Sequence, residues 1–131
     1  MESTLSASQW VLRTIGDDTL DMSNEHTRIT LEFGPATAGE AGESLRVSGR
    51  SGCNRYVGAV QTAGRTIAFG ALGVTRMACP PPQMVLEARF LEALGTVANW
   101  EIQAESLAFF GGKEALVFDS IQIRTASVAG S

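Results

Sequence analysis

Apolar and polar residues alternate with a period of two along most of this chain, the signature of half-buried strands. Residues 28–33 (RITLEF) are the clearest case. Ile29, Leu31 and Phe33 fall on one face, Arg28, Thr30 and Glu32 on the other. Residues 9–15 (QWVLRTI) form a predicted strand with Trp10 and Leu12 on one face. Leu45 and Val47 mark another that ends at Gly49. Residues 55–60 and 66–69 give two more, joined near Ala63-Gly64, and residues 73–77 a short extended stretch. Three strands close the chain, at 99–104, 107–110 and 115–123, with Gly111-Gly112 as the turn between the last two. Residues 16–27 and 34–43 are rich in turn formers and are expected as loops.

The period changes once. After Pro80-Pro81-Pro82, residues 83–94 place Leu86, Phe90, Ala93 and Leu94 on one helical arc that continues to Val97. Met84 and Leu91 widen it. Proline suits the first turn of a helix, where no N–H is needed, and Gly95 is expected as a left-handed cap. Glu87 falls inside the apolar arc, so its carboxyl must be hydrogen-bonded, paired or protonated there. The main reading is a structural carboxyl that receives backbone N–H groups or an arginine; the alternatives are a catalytic acid or base, or a helix rotated so that Glu87 sits at its rim. Together these elements predict an α+β domain. It is an antiparallel curled sheet or half-open barrel of about eight short strands, with one helix packed on the concave face.

Composition narrows the class. The 131 residues suit one domain, predicted over residues 9–123, with flexible termini at 1–8 and 124–131. A hydrophobic share of 44% with 18% charged residues excludes disorder over most of the chain. No apolar run is long enough for a membrane span. The net charge of −4 argues against nucleic acid as a partner. Yet Arg46, Arg50, Arg55, Arg65 and Arg76 follow one another with no acid between them. They form either a solvated basic face or a patch for anionic head groups or an acidic partner. Residues 1–8 have neither the basic nor the apolar region of a secretory signal, so no signal is expected in them. The compartment stays open between cytoplasm and an envelope location with a leader removed.

Familiar catalytic chemistry is missing. The single histidine, His26, stands alone in a polar stretch, which leaves no triad and no zinc ligand set. No phosphate loop is present, and neither a metal nor a cofactor is expected. The chain is read as a non-enzyme. Cys53 and Cys79 are spaced wrongly for a CxxC motif. They are either two buried thiols or a bridge, which would close a loop of about 27 residues and contribute roughly 3.5 kcal/mol in the chain-entropy model. A thiol-based redox protein using these two cysteines is a further alternative.

The residues in special local contexts also compose a pattern. Gly52-Cys53-Asn54-Arg55-Tyr56-Val57-Gly58 reads as a GCN-x-Y-x-G element, and Thr75-Arg76-Met77-Ala78-Cys79 as T-x-MAC. A helix with Met84, Glu87, Phe90 and Leu94 follows, then Trp100, Leu107 and residues 116–118. In this order, after Trp10, Leu12 and Gly49, they resemble the META/HslJ family of small domains from heat-shock protein HslJ and bacterial envelope lipoproteins. The resemblance implies a half-open barrel with a helix against it, and a stress-response or envelope module without an established activity. The fold is also similar to that of a pilot lipoprotein that takes a lipid chain into a cracked barrel. On this basis Phe33, Phe69, Met84, Phe90, Leu91 and Trp100 are candidate lining residues of an apolar cleft. Its occupant would be a lipid-like ligand or an unknown protein partner; the alternative is a purely structural partner-binding domain with a filled core and no ligand. The GCN-x-Y and T-x-MAC residues are expected mainly to set the fold. A monomer or weak dimer is expected.

Overall fold

The computed structural model describes residues 5–21, 28–39 and 42–121. His26 lies outside them, as do Ile123 and the C-terminal tail. The described residues form eleven strands and one helix: β1 (Gln9–Ile15), β2 (Asp18–Thr19), β3 (Thr30–Phe33), β4 (Thr37–Gly39), β5 (Gly42–Arg50), β6 (Arg55–Ala63), β7 (Thr66–Phe69), β8 (Gly73–Val74), α1 (Pro81–Leu94), β9 (Asn99–Gln103), β10 (Ser106–Phe110) and β11 (Leu116–Ser120).

Eight of the strands close a ring in the order β5-β3-β1-β11-β10-β9-β7-β6, with β6 returning to β5. All the pairings are antiparallel. The barrel is therefore closed and not half-open. Alternation reveals which face of a strand is buried but not whether the first and last strands meet. Closure rests on the β5–β6 hairpin, whose ladder runs from Glu43↔Thr62 to Arg50↔Arg55. The weakest seam is β7–β9, which shares one register pair, Thr66↔Asn99. Flanking bonds from Ile67 N–H to Ala98 O and from Trp100 N–H to Arg65 O support it. Beyond that seam β8 continues along the same edge of β6 as β7, through Tyr56↔Val74 and Val57↔Gly73.

Inward-facing residues of every barrel strand fill the interior, among them Trp10, Leu12, Leu31, Phe33, Leu45, Val47, Tyr56, Val60, Leu107, Phe109, Leu116 and Phe118. The three expected inward positions of residues 28–33 are all buried. The helix contributes Phe90, Ala93 and Leu94 to this core. Phe90 packs on Tyr56 at 5.9 Å and on Phe118 at 6.5 Å between ring centroids. Phe109 links Phe118 to Phe69, so aromatic side chains run through the centre of the barrel. Burial of a ring the size of Phe90 contributes about 2–3 kcal/mol.

Tyr56 shows how local sequence serves closure. It stands opposite Gly49 across β5–β6, and a Cβ at position 49 would collide with the Thr30 carbonyl. The missing side chain lets the Tyr56 hydroxyl donate to that carbonyl at 2.6 Å, which ties β6 to β3 across β5. Burial pushes the Tyr56 phenol far above its ordinary value, so it serves as a neutral donor.

Three local expectations are corrected. Gly95 ends the helix at φ −72°, in the right-handed region, because the Thr96 N–H and hydroxyl both turn back to the Ala93 carbonyl. The expected loops contain two small hairpins. Thr14↔Thr19 pairs β2 with β1, and Thr37↔Ser44 pairs β4 with β5. Both added strands are exposed on all sides and carry no apolar alternation to announce them. Residues 5–8, placed with the frayed terminus, are packed instead. Leu5 is fully buried, and the Ser8 hydroxyl donates to the Leu5 carbonyl and accepts from the Trp10 indole.

Candidate functional site

The GCN and T-x-MAC residues meet at one end of the barrel, beside α1. Ser51, Gly52, Cys53 and Asn54 form the tight connection between β5 and β6, closed by Ser51 N–H to Asn54 O at 2.8 Å. Gly52 sits at φ +114°, a region that side chains rarely enter. The turn directs the Asn54 side chain away from the hairpin, alongside residues 75–77.

Asn54 then acts as a substitute peptide group. Its Oδ1 accepts from Met77 N–H at 2.6 Å, and its Nδ2 donates to Met77 O at 3.3 Å. A neighbouring strand would offer Met77 the same donor and acceptor pair. The ladder of β6 with β8 thereby continues past Arg55, whose carbonyl accepts from Thr75 N–H. The Thr75 hydroxyl closes the gap. It accepts from Arg55 N–H at 3.0 Å and donates to Asn54 Oδ1 at 2.9 Å.

Glu87 holds Asn54 in place from the helix. Glu87 is 5% exposed, and its carboxyl accepts from Asn54 N–H at 3.2 Å and from Nδ2 at 3.0 Å. This is why an acid occupies the apolar arc of α1. Cys53 and Cys79 are bonded as a disulfide, which fixes the far end of the same segment to the turn. Tyr56 follows in β6 as the inward ring described above. Gly58 lies under the bend at residues 70–72, where a Cβ would press on Leu72.

The segment so held and α1 border a groove of about 410 Å³. Leu72, Val74, Met77, Met84 and Leu91 supply its apolar lining, and Asn54 and Glu87 its polar floor. Met77 and Met84 are 55% and 36% exposed. The floor is already hydrogen-bonded within the protein. Around that floor the groove exposes apolar surface with two pliable thioethers, the kind of surface that adapts to several partners.

Of the six expected cleft residues, only Met84 and Leu91 reach this groove. Phe33 and Phe90 are filled into the core. Phe69 packs on Phe109, and Trp100 donates its indole N–H to Gly64 O at the β6–β7 turn. The helical arc and the alternation identify apolar faces, and most of those faces are consumed by the barrel interior. Leu72 and Val74 were missed. Their two-residue spacing beside Gly73 was the available signal, and the short length of β8 hid it.

The five arginines do not form one patch. Arg50 and Arg55 face each other across β5–β6, and Arg76 adjoins them through Thr75. Arg46 lies further along β5, opposite Ala59, with Glu32 beside it across Ser48. Arg65 is in the turn at the other end of β6, roughly 25–30 Å from Arg55 at the rise of a strand.

A separate ionic clamp ties the outer side of α1 to the barrel. Arg89 engages both Glu114 oxygens at 2.8 and 2.6 Å, and Asp18 at 2.7 Å. Arg89 holds the Glu114 carboxyl below its ordinary value, and its own guanidinium is raised by the same pair. A depressed carboxyl stabilises the fold above its unfolded pKa, and this contribution is lost as pH falls through the folded one. Melting temperatures measured from about pH 6 down to about pH 3 are expected to fall less steeply in Glu114→Gln than in the wild type. Salt should shrink the difference, because the pair is partly exposed. Parallel profiles would show that the clamp adds nothing to stability.

The model of the META domain family matches residues 3–122. No curated protein sequence matches the chain. Among solved structures, a protein from Burkholderia xenovorans determined by NMR is 28% identical, with a TM-score of 0.69 over 88% of this chain and 83% of that one. A second NMR structure is 22% identical, with a TM-score of 0.66 over 91% and 95% of the two chains. A crystal structure of a DUF4847 family protein from Bacteroides vulgatus is 14% identical, with a TM-score of 0.51 over 88% and 94%. The last two likenesses are of fold alone. Among the described residues, no helix is long and apolar enough to cross a membrane.

Proposed function

The chain belongs to the META domain family, and from that premise we propose that it is a non-enzymatic binding module of the cell envelope or stress response. Its site is the groove between α1 and residues 72–78, which accepts an apolar chain or a partner segment. The observation that carries this reading is the pairing of exposed Met77 and Met84 with Leu72, Val74 and Leu91 over a floor whose polar groups are already used. A ligand there removes apolar surface from water and displaces no internal hydrogen bond. The barrel interior is a poor alternative, since aromatic side chains occupy it. The disulfide supports an oxidising compartment, where such bonds persist.

Methyl NMR of methionine-labelled protein tests the site directly. Dodecanoate, a lysophospholipid and short apolar peptides are titrated in turn. At least one class should shift the Met77 and Met84 methyl signals saturably and raise the melting temperature. Met84→Asp should abolish both effects while the fold stays intact. Methyl signals that stay still with every class would remove the groove as a binding site.

A further inference from the structure

We propose that the occupant of the groove is an extended polypeptide segment of a partner protein, added as a strand to the outer edge of residues 74–78. This rests on the groove reading above and names its ligand class. The inner edge of the segment is committed. Thr75 N–H is bonded to Arg55 O, and both backbone groups of Met77 to the Asn54 amide. Along an extended chain, successive residues direct their N–H and C=O groups to opposite sides. Val74, Arg76 and Ala78 therefore turn theirs away from β6. Val74 occupies the pair with Tyr56 next to the bonded Thr75 position, and no hydrogen bond reaches the backbone of Arg76 or Ala78 among the described residues.

Three outward donors and three outward acceptors in a row, next to an apolar groove, form a template for strand addition. An acyl chain would fill the groove and leave these groups unmatched. A peptide strand matches them, and its alternate side chains enter between Met77, Met84 and Leu91. The edge is also rigid before binding. The Asn54 amide holds its middle, the disulfide its end, and Pro80 and Pro81 stop it from extending. Arg55 and Arg76 are both exposed at this end of the barrel. They favour a partner segment that carries carboxylates beside its apolar residues.

The test uses the full oxidised chain, labelled at backbone nitrogen and at methionine methyls. The probes are acetylated hexapeptides that alternate valine, leucine or phenylalanine with threonine or glutamate. The same peptides N-methylated on alternate residues, and dodecanoate, serve as competitors for the two explanations. The peptides are expected to shift the Met77 and Met84 methyls and to slow amide exchange at Val74, Arg76 and Ala78 by about tenfold or more. N-methylation should weaken binding by about tenfold or more. Arg76→Pro, which deletes one outward donor, should weaken it similarly, and Arg76→Ala much less for threonine-only peptides. Melting curves of both variants verify that they fold. Methyl shifts without amide slowing, or equal binding of dodecanoate or N-methylated peptide, would overturn strand addition and leave the groove reading standing. Methyl signals unmoved by any probe would overturn both. Slowing of the same amides by concentration alone, with dimer formation, would assign the edge to a second copy and overturn a separate partner.

Discussion

Asn54→Ala is expected to lower folding stability by about 3–4 kcal/mol, several times the effect of an ordinary turn residue. The substitution does more than remove hydrogen bonds. It strips the Glu87 carboxyl, buried on the helix, of its side-chain donor, and it takes both partners from the Met77 backbone. Met77 is exposed and recovers water freely, whereas the buried Glu87 is left with the residue 54 N–H and what water reaches it through the groove. Most of the loss therefore belongs to the carboxyl and should depend on it. Urea denaturation of Asn54→Ala, Glu87→Ala and the double variant should yield a coupling of about 1–3 kcal/mol between the two sites. Asn54→Asp should be worse than alanine, because it turns a carboxylate toward Glu87. A loss of less than about 1 kcal/mol for Asn54→Ala, with additive effects, would reduce Asn54 to a turn former.

The place of Glu87 on the buried arc of α1 is legible because helical periodicity is strict over residues 83–94, and an acid there needs donors. The donor itself is not legible, since Asn54 and Glu87 lie 33 positions apart and no local rule connects them. The strands were legible for the same reason as the helix: each half-buried strand alternates. Closure of the barrel was not, because pairing partners are a property of two strands and alternation of one. The expected cleft failed on a related point. Phe33 and Phe90 carry the most apolar surface and so are the residues most completely consumed by the core. The groove is built from smaller and softer residues that the core leaves over. The arginines read as a cluster because they are close in sequence, but a nine-residue strand carries Arg55 and Arg65 to opposite ends of the barrel.

On the proposed reading, fold-setting residues and a binding site coincide. Gly52, Asn54, Thr75 and Glu87 hold residues 75–78 in an extended form that these residues do not have the length or alternation to adopt alone. An edge pinned by side chains costs the partner less ordering on binding than a mobile loop would. In this reading the GCN and T-x-MAC elements touch no ligand by their own functional groups. They act by presenting a backbone.

Removal of the disulfide is expected to cost about 3.5 kcal/mol, or roughly 13 °C in melting temperature for a chain of this length. The cysteines are 26 positions apart, and their bond closes a loop containing β6, β7 and β8. In the chain-entropy model, opening that loop frees the unfolded ensemble more than it changes the native contacts. Cys53→Ala/Cys79→Ala and the reduced wild type should therefore melt at similar temperatures, both well below the oxidised protein. The native state should change only at the end of the edge. Asn54 still holds Met77, so its amide should stay protected, while the amide signals of residues 78 and 79, whose N–H groups no hydrogen bond holds among the described residues, move in the NMR spectrum. Unchanged protection of Met77 with shifts confined to residues 78 and 79 would separate the two devices that hold the segment. If Met77 protection collapsed as well, the disulfide would be holding the whole edge, and Asn54 would not suffice to pin it. A melting temperature that moves by less than about 2 °C, well under 1 kcal/mol at this size, would mean that the loop is already restricted in the unfolded chain.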